Sequence, residues 1–271
     1  MYSGSTPFPP FAVLPPAATQ GDRYIWSVIA KYRPGPAAIA MVDRAQAGLA
    51  PHIRAWAGQC LVSLFRSGSF AKGTTIRGDS DLDLLVSLRS DTQGTMAELY
   101  GSLGRFLTTR RYTVRHQNVS VRVVSAGLNV DVTPAKRQPG IGYDHTLYRS
   151  KARTWTKTNV HRHIQLIKTC RRIPEIRAMK IWRTVHGLDF PSFHLELVVL
   201  EALRGHAFGR LEANVPSTLE FLSNRLIHCR IEDPSNSANI LSDELTAAEK
   251  QAIADQAGRS LAERYWERIL W

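Results

Sequence analysis

Two aspartates, Asp81 and Asp83, are the residues of this chain whose spacing most clearly predicts chemistry. They lie at the start of an apolar run, Leu82 to Leu88, that is typical of a buried strand. Because residues i and i+2 of a strand point to the same face, the two carboxylates should lie side by side. Adjacent anions repel each other unless a cation lies between them. Oxygen ligands of this kind favour Mg²⁺, with Mn²⁺ as the alternative.

A third carboxylate, Asp131, lies in another strand-like segment, Leu128 to Thr133. Two-metal sites that carry out an in-line displacement at phosphorus use such carboxylates, while the protein mainly positions groups and offsets charge. We therefore predict that Asp81, Asp83 and Asp131 are catalytic residues and metal ligands. The structural alternative for Asp131 is a polar residue on the exposed face of an edge strand.

A Gly-Ser pair, Gly68 and Ser69, precedes the aspartates at the start of a predicted helical turn that Gly73 closes. The free amides of a helix start and a serine hydroxyl favour phosphate oxygens, and glycine lets an anion approach the backbone closely. A helix cap followed by a surface turn with two solvated aspartates is the structural alternative. The full spacing, with a third aspartate on a later strand, favours a nucleotide-binding site.

This arrangement resembles the polymerase-β-type nucleotidyltransferases. Four later segments resemble the oligoadenylate synthase and cyclic GMP-AMP synthase superfamily, with its bacterial cyclic-oligonucleotide synthases (CD-NTases). These segments are Trp155 to His161, Met179 to Trp182, Phe190 to Glu196, and Ile231 to Pro234 with Asn236 and Asn239.

The resemblance implies that Lys180 and Ser192 bind the donor triphosphate together with Gly68 and Ser69. It implies a Mg²⁺-dependent enzyme that joins ATP or GTP units, releases pyrophosphate and makes a cyclic or linear oligonucleotide second messenger, as in anti-phage signalling. The structural alternatives are a solvated helix lysine for Lys180 and a helix cap for Ser192, which follows Pro191.

The chain is strongly basic, with a net charge of +12 and a pI near 10.0, which indicates a surface that handles nucleotides or nucleic acid. Much of this charge lies in residues 149–183, where Glu175 is the sole acidic residue. We predict that this segment faces phosphates. The basic segment leaves open a second activity, the transfer of nucleotides to an RNA 3′ end, as in tRNA nucleotidyltransferases or poly(A) polymerases. A non-catalytic binding module is disfavoured, because it has little need of three converging acids.

The predicted fold is α+β: a nucleotidyltransferase mixed sheet with helices, followed by an α-helical domain, with the active site in the cleft between them. The predicted divisions are a proline-rich arm over residues 1–22, a catalytic domain over 23–140 and a helical nucleotide-binding domain over 141–271.

The pattern of apolar residues predicts the individual elements of these domains. Helices are expected over 36–64, divided by Pro51, and over 92–110, and strands over 112–115, 119–124 and 128–133. A turn at Ser125 to Gly127 makes the last two strands a hairpin. Further helices are expected over 160–172, 175–186, 191–207, 215–229 and 245–269.

Membrane and secretory classes are not favoured by the sequence. Apolar runs are too short for a membrane span, and the prolines near the N-terminus interrupt any signal-peptide pattern. Cys60, Cys170 and Cys229 are odd in number and far apart, which favours buried free thiols in a reducing, cytoplasmic setting.

Overall fold

The computed structural model describes residues 18–78, 81–140 and 142–271. Most of the predicted arm, residues 1–17, therefore lies outside the described residues, and its last residues belong to the first helix. The helices are α1 (Gln20–Lys31), α2 (Pro36–Ala57), α3 (Gly68–Lys72), α4 (Met96–Thr109), α5 (Val160–Thr169), α6 (Ile173–Val185), α7 (Ser192–Ala202), α8 (Leu211–Arg225) and α9 (Ala247–Leu261). The strands are β1 (Leu61–Arg66), β2 (Leu82–Leu88), β3 (Arg115–His116), β4 (Val121–Ser125), β5 (Leu128–Arg137), β6 (His145–Arg149), β7 (Thr154–Thr158), β8 (Glu232–Asp233) and β9 (Asn236–Ile240).

A mixed sheet forms the first half of the molecule, in the strand order β1-β2-β5-β4-β3, and β6 and β7 extend it beyond β5. Strands β2 and β5 are parallel, whereas the other neighbours are antiparallel. Helices α2 and α4 pack on one face, where Leu82, Leu84, Val130 and Val132 are fully buried. Because side chains alternate along a strand, the residues between these leucines and valines point to the opposite face.

The second half has a separate hydrophobic core, built from α1 and α5–α9 around the fully buried Trp182. The Trp182 indole N–H donates to the Ser260 hydroxyl at 2.9 Å, so this large side chain is buried without an unpaired donor. Helix α1 packs against α6 and α8 through Ile25, Val28 and Ile29. The α+β fold class is confirmed, and α1 contributes to the helical core although it comes first in the chain.

Two expected features of the first half are wrong in detail. Helix α2 continues through Pro51, because Leu49 and Ile53 on either side of it are buried in the sheet core and their packing offsets the lost hydrogen bond. The helix then ends at Ala57, and Leu61 belongs to strand β1, which the helical prediction had covered.

The expectation that the chain becomes helical after residue 140 is wrong for residues 145–158. These residues form β6 and β7, which pair with each other and join the sheet through Lys136 and Arg137 of β5. Their tyrosine, tryptophan and threonines are strand-favouring residues, but the segments are short and are only partly buried. The predicted hairpin of β4 and β5 is confirmed, with Ser125 opposite Leu128.

The cysteines are free and half-buried in the structure rather than fully buried as expected. Within the described ranges, every helix is too short or too polar to cross a lipid bilayer.

Candidate active site

The sheet brings the three predicted acids together. Parallel pairing of β2 with β5 places Asp83 directly beside Asp131, on the face opposite the α2–α4 core. Asp81 lies just before β2, with its side chain 44% exposed, whereas the side chain of Asp131 is only 14% exposed. The alternative of Asp131 as an exposed edge-strand residue is therefore wrong, because β5 is an interior strand and the carboxylate is largely buried.

An arginine that the sequence reasoning missed joins two of these acids. Arg122 of β4 lies opposite Asp131 in the hairpin register, and its Nε and Nη2 donate to Asp131 Oδ1 and Oδ2 at 3.0 and 2.7 Å. The Nη2 atom also lies 2.7 Å from Asp81 Oδ2. These hydrogen bonds, with the neighbouring carboxylates, raise the pKa of Arg122 above its ordinary value. The predicted turn at residues 125–127 could have identified it, since a hairpin closed there sets residue 122 opposite residue 131.

Asp83 has a strongly perturbed carboxyl group. Burial, followed by the charge of Asp131, raises the pKa of Asp83 to about 7, and Lys72 and Lys180 partly oppose that rise. The neighbouring Asp81 raises it further. Asp83 is therefore a carboxyl group whose ionised form needs a cation close by.

The Gly-Ser turn packs directly on Asp83. Gly68 is the first residue of α3 and has φ +59°, and a Cβ atom there would overlap the Asp83 carboxylate. The Ser67 N–H donates to the Asp83 carbonyl at 2.9 Å, which fixes the turn against β2. The Ser69 hydroxyl accepts from the Thr75 hydroxyl at 3.1 Å. The helix start predicted to bind phosphate therefore lies against the acids, with glycine required by both conformation and space.

Lys180 lies in a buried ionic cluster that connects the two halves of the molecule. Its side chain is 0% exposed, and its Nζ lies 3.5 Å from Glu196 Oε1 of α7. Glu196 also accepts from Lys72 Nζ at 2.8 Å and from the Thr74 hydroxyl at 2.6 Å. Burial alone would raise the pKa of Glu196, but the two lysines keep it below its ordinary value. The alternative of Lys180 as a solvated helix lysine is thus wrong.

Ser192 is the first residue of α7 and does not cap it; Pro191 occupies the cap position and makes no side-chain capping bond. The Ser192 hydroxyl accepts from Arg183 Nη1 at 3.1 Å, and the same nitrogen donates to the Phe190 carbonyl at 2.6 Å. The serine is therefore held near the start of α7 by an arginine of α6. Its assignment as a triphosphate ligand stays a prediction.

Only some of the cations in the basic segment 149–183 lie on the surface of the protein. Arg172, Lys180 and Arg183 are buried, and Arg172 pairs with Glu175 at 3.0 Å, so these charges serve the interior of the helical half. The exposed cations of the segment include three residues of the β6–β7 hairpin, Lys151, Arg153 and Lys157, which we call the basic hairpin.

The segment from Ile231 to Pro234 contains β8, and its Asp233 bonds the small β8–β9 sheet to His163 of α5. His163 Nε2 lies 2.6 Å from Asp233 Oδ1, and Ser235 donates to the same oxygen through its N–H at 2.8 Å. Asn239 Nδ2 donates to Asp233 Oδ2 at 3.3 Å. These bonds support a structural role for the Asp-Pro turn.

The chemistry of the donor set fits a divalent cation. Asp83 and Asp131, at paired positions of β2 and β5, and Asp81, just before β2, have the carboxylate oxygens that such an ion prefers, and Arg122 between two of them shows that the site holds positive charge. In the part of the chain that the structure describes, no three histidine, cysteine or acidic side chains are already gathered as a metal site. Asp81 and Asp131 face Arg122 instead.

Known proteins resemble this chain in both sequence and fold. The family model of the Second Messenger Oligonucleotide or Dinucleotide Synthetase (SMODS) domain matches residues 40–170. The CBASS oligonucleotide cyclase CdnC of Escherichia coli (strain KTE188) is 25% identical over 218 residues, which cover 73% of this chain and 69% of the relative.

Two solved structures have the same fold across most of the chain. That of E. coli MS115-1 CdnC with ATP has a TM-score of 0.72 at 21% identity and covers 90% of this chain and 96% of the other. The Bradyrhizobium diazoefficiens CD-NTase CdnG in complex with GTP has a TM-score of 0.75 at 12% identity, with 91% of each chain covered. The comparisons support the first predicted activity, synthesis of an oligonucleotide second messenger, and not transfer to an RNA end. Residues 40–170 thus match the SMODS domain, and the chain is similar in sequence and fold to the bacterial CD-NTases, which are nucleotidyltransferases.

Proposed function

We propose that this chain joins nucleoside triphosphates, ATP or GTP, into a cyclic or linear oligonucleotide that serves as a signal in anti-phage defence. The observation that carries the proposal is the parallel register of β2 and β5, which sets Asp83 beside Asp131, with the Gly68 turn packed on Asp83. Three acids next to a glycine-serine helix start suit phosphoryl chemistry and have no comparable use in a purely structural sheet.

In the proposed reaction, the triphosphate lies with its phosphates on Gly68 and Ser69 and approaches Ser192 at the start of α7. Because Lys180 is buried on Glu196, its contribution is positive charge from beneath the site rather than an exposed contact. A ribose hydroxyl of a second nucleotide attacks the α-phosphorus, the bond from that phosphorus to the β-bridging oxygen breaks, and pyrophosphate leaves.

The acids have distinct proposed roles in that step. Asp131 accepts the proton of the attacking hydroxyl, as a general base. Asp81, Asp83 and Asp131 would hold a divalent ion, proposed to be Mg²⁺ with Mn²⁺ as the substitute, which would supply positive charge to the phosphates and to the attacking oxygen. The turn at Gly68 holds Asp83 in place, because a Cβ atom at residue 68 would overlap its carboxylate and the Ser67 N–H donates to its carbonyl.

Incubation of the purified chain with labelled nucleoside triphosphates and Mg²⁺, with and without RNA, tests the proposal. We expect small labelled oligonucleotides without RNA, identified by mass spectrometry, and loss of product in the double variant Asp81→Ala, Asp83→Ala. The matched control is Asp91→Ala, which removes an exposed aspartate that pairs with Arg89. Unchanged turnover in the double variant contradicts the proposal, and labelled RNA as the main product supports the RNA-end alternative.

A further inference from the structure

The oxygens of Asp81 and Asp131 already have hydrogen-bond donors in the protein itself. Arg122 donates to both carboxylate oxygens of Asp131 and lies 2.7 Å from Asp81 Oδ2. Asn129 Nδ2 donates to the remaining oxygen, Asp81 Oδ1, at 3.2 Å. A divalent ion bound by these two acids would therefore compete with these donors for the carboxylate oxygens.

Of the two donors, Arg122 is the one that competes with a metal ion for charge. A guanidinium is a permanent cation with donors only, so it neutralises carboxylates but cannot join them as a ligand of a second cation. Arg122 lies directly across the hairpin from Asp131, so the fold itself delivers this positive charge between the acids. Its side chain is 26% exposed, which leaves it a path towards solvent.

We propose that Arg122 is a positioning residue that takes the place of the divalent cation in the metal-free enzyme and releases at least one aspartate when the cation binds. The inference rests on the proposed function, since it concerns the same three acids. Arg122 holds Asp81 and Asp131 close together before metal arrives, and its bonds then oppose metal binding. The free energy of metal binding to the wild-type protein therefore combines a favourable contribution from the preorganised acids and an unfavourable one from the broken Arg122 bonds.

Removal of Arg122 should therefore strengthen metal binding. In Arg122→Met, the acids have no internal cation, so Mn²⁺ should bind about tenfold more tightly, the equivalent of one charge-assisted hydrogen-bond contribution. Arg122→Lys keeps the charge but loses the two-pronged geometry, so we expect an intermediate affinity. The matched control is Arg115→Met, which removes the same charge. Arg115 is an exposed residue of β3 and lies opposite Arg122.

Mn²⁺ binding without nucleotide, measured by electron paramagnetic resonance and calorimetry, gives a readout that does not depend on turnover. An equal or weaker affinity in Arg122→Met than in Arg115→Met overturns the role of Arg122 and leaves the proposed function intact. Absence of Mn²⁺ binding to every variant, wild type included, overturns both. If Arg122→Met does not fold, the Mn²⁺ affinity of Arg122→Lys is compared with that of Arg115→Met instead, and an equal or weaker affinity overturns the role of Arg122.

Nuclear magnetic resonance of ¹⁵N-arginine-labelled protein follows the guanidinium directly. The Nε signal of Arg122, assigned by its absence in Arg122→Lys, should shift when Mg²⁺ is added, because its bonds to the acids change. An Nε signal that stays in place while Mg²⁺ binds shows that Arg122 keeps its partners and overturns the proposal.

Discussion

At the scale of single residues, the site is a balance between buried negative charge and a few fixed cations. Asp83 lies beside Asp131 in the register of β2 and β5, and Lys72, Lys180 and Arg122 supply the opposing charge. Removal of any one of these groups changes the protonation or metal affinity of the others, because they interact across short distances in a partly dry environment. The site is therefore coupled, and its variants will not behave additively.

The raised pKa of Asp83 makes the stability of the metal-free protein depend on pH. An ordinary aspartate has a pKa of 3.8, whereas burial and Asp131 raise that of Asp83 to about 7. Between these values the folded chain holds a proton that the unfolded chain has released, so the free energy of unfolding falls as pH rises. Asp83→Asn lacks this loss, so its stability relative to wild type should grow from pH 4 to about 7.

Urea unfolding with a metal chelator, repeated across this pH range, measures the difference between the two proteins. Asp91→Asn is the control, because Asp91 is an exposed aspartate whose pKa lies below its ordinary value owing to Arg89. A stability difference between Asp83→Asn and wild type that stays constant from pH 5 to pH 8 contradicts the prediction.

Gly68 has a positive φ and leaves no room for a Cβ atom beside the Asp83 carboxylate. Gly68→Ala should lower nucleotidyl transfer by roughly 100-fold or more, because its Cβ displaces the Asp83 carboxylate from the other acids. Gly58→Ala is the matched control: Gly58 has a similar φ of +53° and no neighbour in the space of the added Cβ. It should cost about 1–2 kcal/mol of stability from the unfavourable φ while turnover remains. Equal turnover losses in both variants would show that backbone strain alone matters.

At the scale of elements, α3 and α7 are connected through one buried carboxylate. Glu196 accepts hydrogen bonds from Lys72 and Thr74 and lies 3.5 Å from Lys180, so its one negative charge faces two buried lysines. Glu196→Gln removes the carboxylate charge that both buried lysines face and should destabilise the protein by about 3 kcal/mol. Glu201→Gln, on the same helix but paired with Arg204 near the surface, should have little effect.

Urea unfolding at neutral pH compares the two variants. Because α3 also carries Gly68 and Ser69, a loosened cluster should weaken triphosphate binding as well. The opposite order of stability, with Glu201→Gln the less stable variant, contradicts this account of the cluster.

The elements that carry the acids could be predicted from the sequence because their pattern is local. Leu82 to Leu88 is apolar except for Asp83 and Ser87, and the turn at residues 125–127 fixes the later hairpin of β4 and β5. The pairing of Lys72 with Glu196 joins residues far apart in the chain, so no local pattern reveals it. Strands β6 and β7 are not evident from the sequence for a related reason: they are short and partly exposed, β6 joins the sheet at Lys136 and Arg137 of β5, and β7 pairs with β6.

At the scale of the whole molecule, the net charge of +12 is divided between interior and surface. Arg172, Lys180 and Arg183 are buried in the helical half, whereas the basic hairpin is exposed at the edge of the sheet. Buried cations support the fold and the site, and only exposed cations can attract a polyanion from solution. The charge of the chain therefore does not by itself identify RNA as a partner.

Neutralisation of the basic hairpin separates these two uses of charge. The triple variant Lys151→Gln, Arg153→Gln, Lys157→Gln should keep oligonucleotide synthesis from triphosphates within about twofold, because the acids and the Gly68 turn are unchanged. Binding of single-stranded RNA should weaken, and its logarithmic dependence on salt should become shallower by about two, as expected for three lost phosphate contacts. The matched control neutralises three exposed arginines at the end of α4 and beyond it: Arg105, Arg110 and Arg111. Fluorescence anisotropy across a salt series measures the slopes, and equal slopes in both triple variants contradict a role of the basic hairpin in RNA binding.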